Sequence, residues 1–167
     1  SVLGEREYDT VEVDITDMPA VEAALERMPQ IDGVVHTAAI TRWHASSSPQ
    51  RLFAVNAEAA VSVARQAAHA GVKRFVFLSS IKVNGEETAA GRPFSAHDAP
   101  APEDAYGQSK WQAERALRAL ADETGLDLVI VRPSLIYGAG VGGNFAQLVR
   151  WVQRGLPLPL GAVDNKR

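Results

Sequence analysis

Cysteine is absent from this chain of 167 residues, which excludes disulfides, thiolate nucleophiles and cysteine-ligated zinc. An excess of either charge is lacking too. Lys and Arg number 17 against 20 Asp and Glu, a formal net charge of -3. The cations are scattered, with no basic stripe of the kind that nucleic acid or an anionic membrane surface requires. No apolar run approaches the ~20 residues that span a bilayer. The acidic N-terminal stretch has neither the basic nor the apolar region of a signal peptide. The expectation is a cytoplasmic protein with no nucleic-acid and no membrane partner. The chain begins at Ser1 instead of Met, which fits processing or a piece of a longer polypeptide. Its 46% hydrophobic and 22% charged residues suit one globular unit with a substantial core.

Short β-branched runs alternate with longer amphipathic stretches, the pattern of parallel strands joined by crossover helices, so the class is α/β. Strands are predicted at Thr10 to Ile15, Gly33 to Thr37, Arg74 to Ser79 and Leu128 to Arg132. The last three have apolar centres typical of strands buried on both faces, whereas the first alternates. Asp17 is placed to cap a helix from Met18 to about Met28, with Pro19 in its first turn. Pro49 opens a second helix that runs to Ala70 and is ended by Gly71. A third follows Asp104 and stops near Gly125, and a fourth spans Asn144 to Arg154. The stretch from Asn84 to Pro102, rich in Gly and Pro, reads as a long loop of the kind that covers a site.

Tyr106 and Lys110 stand four apart at the start of the third helix, so both side chains share one face. A phenol with a reference pKa of ~10 is a poor base at neutral pH, and a fixed ammonium nearby favours its phenolate. Spacing alone does not separate this pair from a solvated helix face. Ser79 and Ser80 add context, because they end an apolar strand, and ligands of open α/β sheets bind at the carboxyl ends of strands. A hydroxyl there can orient a substrate alcohol.

Phe75-Val76-Phe77-Leu78-Ser79-Ser80, then Val83-Asn84-Gly85, then Tyr106-Gly107-Gln108-Ser109-Lys110 together resemble the extended short-chain dehydrogenase/reductase superfamily. Within it, the nucleotide-sugar epimerase/dehydratase branch is the match, and the resemblance covers nearly the whole chain. It implies a Rossmann-like doubly wound parallel sheet, with Ser80, Tyr106 and Lys110 as the catalytic set. It implies NAD as cofactor, with NADP left open. Asp14 and Ile15 would approach the adenine, and Thr37, Ala38, Ala39, Ile40 and Asn56 the rest of the dinucleotide. Tyr106 and Lys110 would also touch the cofactor, and Pro133 would flank the nicotinamide. Ser80, Lys82, Asn144 and Arg167 would meet a nucleotide-sugar substrate. The family implies no metal and a homodimer. Each residue also has a plain structural role open to it: Asp14 can cap a turn, His36 can be a satisfied buried imidazole, and Asn144 can cap a helix.

The chain departs from the family in three ways. Asn84 stands where Tyr is usual, a change of little expected chemical consequence. Leu135 stands where sugar epimerases commonly carry a substrate-binding Asn. The glycine-rich turn that lets backbone approach a pyrophosphate is missing, together with two strands of the family sheet and most of the C-terminal lobe. The expected organisation is therefore a partial NAD-binding domain over 1–167, with the start of a substrate-binding region from about 138. The expected activity is epimerisation of a nucleotide sugar through a 4-keto intermediate, as in UDP-sugar 4-epimerases. The alternatives are reduction of a nucleotide 4-keto-6-deoxy sugar in surface-polysaccharide synthesis, and a non-catalytic nucleotide-binding fragment.

Overall fold

β-Branched and aromatic side chains fit a pleated, half-buried surface, and the computed structural model turns three such runs into strands. These are β1 (Gly33–His36), β2 (Arg74–Leu78) and β3 (Asp127–Val131). The structure describes residues 9–28, 30–41, 48–88, 91–136, 138, 140, 143–155 and 157. The strands run parallel in the order β1-β2-β3. Val34 lies opposite Phe75, and Phe75 opposite Leu128. Consecutive parallel strands need long crossovers, and helices supply them.

The chain divides into two compact units, 1–134 and 135–167. In the first, α1 (Met18–Glu26) is capped by Asp17, whose carboxylate accepts the Ala20 N–H at 3.3 Å. A continuous helical rod follows β1, made of α2 (Pro49–Phe53), a π-helical stretch (Ala54–Ala59) and α3 (Ala60–His69). Gly71, at φ 82°, follows it. After β2, Ile81–Val83 makes one 3-10 turn, and α4 (Ala105–Thr124) begins beyond the long loop. Asp104 caps α4 by accepting the Gly107 N–H at 2.6 Å. Gly125 stops the helix in the left-handed region at φ 73°, a conformation that costs most residues a clash with their own Cβ.

The core lies between the sheet and the layer of α3 and α4. Phe75 and Phe77 are fully buried against Ala60, Ala64 and Ala67 of α3 and Leu117 and Leu120 of α4. Alanines on α3 keep that face thin enough for the rings. Burying each Phe contributes roughly 2–3 kcal/mol relative to exposure.

Two sequence expectations are corrected. Thr10 to Ile15 is not a strand: the segment has no regular structure through Asp14 and enters a turn at Ile15. Its alternating composition cannot make a strand without a neighbour to take its backbone hydrogen bonds, and among the described residues only β1, β2 and β3 pair. Nor are the other strands buried on both faces. Val35, Val129 and Val131 are exposed, Val35 at 66%. Successive side chains point to opposite faces, and the helical core covers the face that carries Phe75 and Phe77. Each strand also ends one residue earlier than expected, although Ser79 after β2 still donates its N–H to the Val131 carbonyl at 2.8 Å.

The second unit contains α5 (Gly143–Gln153), ended by Gly155 at φ 65°. Leu148, Trp151 and Val152 on it are exposed. Among the described residues no helix is long and apolar enough to cross a membrane.

Candidate active site

All three strands point their carboxyl ends the same way, so the segments that follow them meet along one edge of the sheet. After β1 the chain continues through Thr37, Ala38, Ala39 and Ile40. The last is held by Asn56, whose Oδ1 accepts the Ile40 N–H at 2.7 Å and whose Nδ2 donates to the Ile40 carbonyl at 3.1 Å. Asn56 is fully buried. Its Nδ2 also donates to Ser109 Oγ at 3.1 Å, and that hydroxyl donates to the Tyr106 carbonyl at 2.7 Å. One carboxamide thus joins the segment after β1 to the start of α4. Asn56 lies in the π-helical stretch, and such irregular turns are common at functional sites.

After β2 come Ser79, buried, and Ser80, half-buried. The Tyr106 phenol is half-buried beside Ser80. Burial pushes its pKa up, a hydrogen bond with the Ser80 hydroxyl pulls it down, the Asp104 carboxylate pushes it up and the Lys82 ammonium pulls it down, the net being upward. Lys82 Nζ is held by Asp104 Oδ2 at 2.6 Å and Glu86 Oε1 at 2.8 Å. These hydrogen bonds raise its pKa and keep it a cation. Asp104 is shifted upward by burial but held below the usual carboxylate range by Lys82 and the Gly107 N–H.

Lys110 occupies a different place. It is 1% exposed, with Nζ 4.4 Å from the centre of the Phe77 ring. Burial lowers its pKa to about 8, against the opposing field of Glu114. The Lys82 charge favours the phenolate, while Lys110 lies against the core ring of Phe77. Its neighbour His36 is 5% exposed and stacks on Phe75 and Phe77 at centroid distances of 5.9 and 6.0 Å. Burial and then the Lys110 charge push its pKa down to about 4, so it is neutral at pH 7. The imidazole has a hydrogen bond with the Ala38 backbone, which raises its pKa, but Nε2 has no partner, so the plain role of a satisfied imidazole is met only in part.

The remaining expected residues are dispersed. Asp14 is spent on its own turn, Oδ1 accepting from Thr16 N at 2.9 Å and Thr16 Oγ1 at 2.7 Å, and Ile15 follows in that turn. Pro133 lies just past β3, where its carbonyl accepts the Ile81 N–H at 3.0 Å. Asn144 is the second residue of α5; its side chain and Arg167 lie outside the described residues, as do Tyr137 and the Leu158 to Gly161 tail.

Sequence reasoning passed over Gly107 and Glu114. A Cβ on Gly107 would come within 2.8 Å of the Lys82 carbonyl oxygen and 3.1 Å of Pro102 Cβ, so glycine lets the first turn of α4 dock on the 3-10 turn. The available signal was a glycine inside a helix, where it costs about 1 kcal/mol relative to Ala. Glu114 is fully buried. Its signal was position, one turn beyond Lys110 on a face shared with Ala113 and Leu117. Asn84, expected to matter little, is 5% exposed and hydrogen-bonded on both sides, its Oδ1 accepting from Arg132 and its Nδ2 donating to the Ser95 carbonyl.

Residues 2–167 match the sequence profile of the NAD dependent epimerase/dehydratase family. A UDP-glucose 4-epimerase from Vibrio cholerae is 50% identical over 140 residues, 80% of this chain and 42% of that protein. The N-acetyl-alpha-D-glucosaminyl-diphospho-ditrans,octacis-undecaprenol 4-epimerase of Escherichia coli is 34% identical over 155 residues, 91% of this chain and 44% of that protein. The crystal structure of a UDP-glucose 4-epimerase from Thermus thermophilus in complex with NAD superposes with a TM-score of 0.76 at 27% identity, covering 87% of this chain and 49% of the other. The chain thus spans about half the length of the relatives it matches. The parallel sheet, the Ser80 and Tyr106 hydroxyls at its carboxyl edge and the profile match over nearly every residue agree, and the chain belongs to the NAD dependent epimerase/dehydratase family.

Proposed function

We propose that the protein carrying this chain epimerises a nucleotide sugar through a 4-keto intermediate, with NAD as its bound cofactor. The observation that carries the reading is the placing of Ser80, just past β2, and Tyr106, on the first turn of α4, at the carboxyl edge of the sheet, where the Ser80 hydroxyl lowers and burial raises the phenol pKa. The three proteins named above as epimerases act, by their names, on sugars joined to a diphosphate. The segment after β1 fits a dinucleotide: Ala38 and Ala39 are small, Asn56 fixes the Ile40 backbone, and the buried His36 Nε2 one residue before Thr37 is unpartnered.

In this mechanism Ser80 and Tyr106 hold the sugar hydroxyl. Tyr106, as phenolate, removes its proton, and returns one when the keto group is reduced. The nicotinamide, when bound, supplies the hydride acceptor and donor. Lys82 lowers the cost of the phenolate by its charge. Lys110, a buried cation one turn along α4, contributes to the positive field beneath the site. Thr37, Ala38, Ala39, Ile40, Asn56 and Pro133 would line the cofactor, with Asp14 and Ile15 nearer its adenine. Lys82 would approach the substrate, and the functional protein would be a homodimer.

The test is turnover of the intact protein with UDP-glucose and UDP-galactose, followed by NMR of the anomeric protons, in wild type and Tyr106→Phe. Interconversion in wild type and its loss in the variant are expected. Retained turnover in Tyr106→Phe would sink the assignment. A second reading is favoured by Leu135, apolar and 51% exposed where a substrate-binding Asn is expected. In that reading the protein reduces a nucleotide 4-keto-6-deoxy sugar, and added NADH or NADPH is consumed mole for mole, which an epimerase does not do.

A further inference from the structure

Glu114 is a carboxylate with no exposure to solvent, yet every lone pair direction is used. Its Oε1 accepts from Ser79 Oγ at 2.6 Å and Arg132 Nε at 2.8 Å; its Oε2 accepts from Arg132 Nη2 at 2.6 Å and Arg118 Nη2 at 2.9 Å. Burial pushes its pKa up, but Arg132, Ser79 and Arg118 together hold it below the usual carboxylate range, so it stays ionised. Arg132 in turn donates through Nη1 to Asn84 Oδ1 at 3.0 Å, and Asn84 Nδ2 donates to the Ser95 carbonyl at 3.0 Å.

The location of these groups decides what they do. Ser79 precedes Ser80, and Arg132 precedes Pro133. Glu114 continues along α4 the line of Tyr106 and Lys110, one turn further for each. Asn84 and Ser95 belong to the long loop. The bidentate pair therefore ties the end of β2, the end of β3 and that loop to the helix that carries the phenol. Backbone bonds run alongside it, Ser79 N–H to the Val131 carbonyl at 2.8 Å and Ile81 N–H to the Pro133 carbonyl at 3.0 Å. A well-packed apolar pair at 114 and 132 would serve stability as well as a buried ion pair does. It would not fix three segments at hydrogen-bond distances, because apolar contacts have no directional preference.

We infer that Glu114 and Arg132 are positioning residues, whose bidentate pair holds the Ser80 hydroxyl against the Tyr106 phenol and carries the same alignment through Asn84 into the loop. The inference rests on the reading of Ser80 and Tyr106 as the reacting pair. Misplacement of a reacting group by about 1 Å costs on the order of 100-fold in rate, and a carboxylate shortened by one methylene cannot reach Ser79 and Arg132 together.

The experiment uses the intact protein. Glu114→Asp keeps the charge and shortens the side chain. kcat and KM are measured for nucleotide-sugar turnover, and ionisation of Tyr106 is followed by ultraviolet absorbance against the matching Tyr106→Phe background. The expected result is kcat down roughly 100-fold with KM unchanged, and ionisation of the phenol moved to higher pH as the Ser80 hydroxyl ceases to stabilise the phenolate. A folded Glu114→Asp with wild-type kcat, or with an unmoved phenol titration, overturns the inference. The double variant Glu114→Gln/Arg132→Met leaves no buried unpaired charge, since Arg118 is 46% exposed, and keeps the test decisive if Glu114→Asp does not fold. A purely structural pair predicts that the double variant regains kcat, which would overturn positioning; a kcat still depressed in the folded double variant supports it. If wild type turns over no nucleotide sugar, the proposed function fails, and the phenol titration still decides the role of Glu114.

Discussion

The Asn56 carboxamide satisfies both backbone groups of Ile40, with Oδ1 2.7 Å from the amide nitrogen and Nδ2 3.1 Å from the carbonyl oxygen. The strand-end segment after β1 would otherwise leave those groups unpaired in a half-buried place. Because the same Nδ2 reaches Ser109 on α4, the segment is held in register with the helix that bears Tyr106.

Asn56→Asp keeps the shape and the acceptor but removes the donor. The Ile40 carbonyl loses the Asn56 donor, at about 1–3 kcal/mol for a buried group left unsatisfied, the Ser109 hydroxyl keeps only its bond to the Tyr106 carbonyl, and a buried charge is added. Weaker NAD binding by calorimetry is expected, together with a lower urea midpoint for the intact protein. Unchanged NAD affinity would show that the Asn56 clamp does not shape the cofactor segment.

Gly107→Ala tests the docking of α4. Its Cβ would meet the Lys82 carbonyl oxygen at 2.8 Å, so the first turn of the helix must move away from the 3-10 turn, taking Tyr106 with it. Although Ala favours a helix by about 1 kcal/mol, a fall in kcat on the order of 100-fold is expected. A variant as active as wild type would mean that the helix start has slack.

Lys82→Met removes the cation that favours the Tyr106 phenolate and frees the Asp104 charge that opposes it. Both changes push the phenol pKa up. The acid-side limb of the pH–rate profile should move to higher pH, with about a tenfold loss at neutral pH for every 1.4 kcal/mol. An unmoved limb would assign Lys82 to substrate contact alone.

His36 sets an acid limit on stability. Its folded-state pKa is pushed from 6.5 down to about 4, so the unfolded chain binds the proton more readily. The contribution is full above pH 6.5 and is lost as pH falls toward 4, on the order of 3 kcal/mol in all. Urea unfolding at pH 7 and pH 4.5 should show the loss in wild type and a smaller one in His36→Gln. Equal losses in the two proteins would place the acid sensitivity elsewhere.

The exposed pair of Arg74 and Asp127 serves as a contrast. It is short, 2.6 Å, but its side chains are 64% and 52% exposed, and such pairs contribute 0–1 kcal/mol. Asp127→Asn should leave the urea midpoint nearly unchanged, and a large drop would reveal a role in aligning β2 with β3.

Much of the architecture was legible in the sequence because its signals are local. Asp17 and Asp104 cap the helices that follow them, and Gly71, Gly125 and Gly155 adopt the left-handed backbone after helices, since a cap or a positive φ depends on only a few neighbouring residues. The apolar runs at Val34, Phe75 and Leu128 became strands for the same kind of reason. Tyr106 and Lys110 fell on one helix, and Ser80 at a strand end, because spacing and strand termination are local too.

Contacts between distant segments were not legible. The Thr10 to Ile15 run has the composition of a strand, but a strand exists only through hydrogen bonds to a neighbour. The sequence put Tyr106 and Lys110 on one helix face, but that the Lys82 charge reaches the phenol and that Lys110 lies over Phe77 came from the fold. It also brought Asn56 to Ile40 and Ser109, and buried Glu114 between Ser79 and Arg132. The sequence by itself determined the α/β alternation, the helix ends and the chemical groups available. Tertiary structure alone decided which of those groups meet, because directional hydrogen bonds and burial depend on how the crossovers return the chain, which no local window of residues contains.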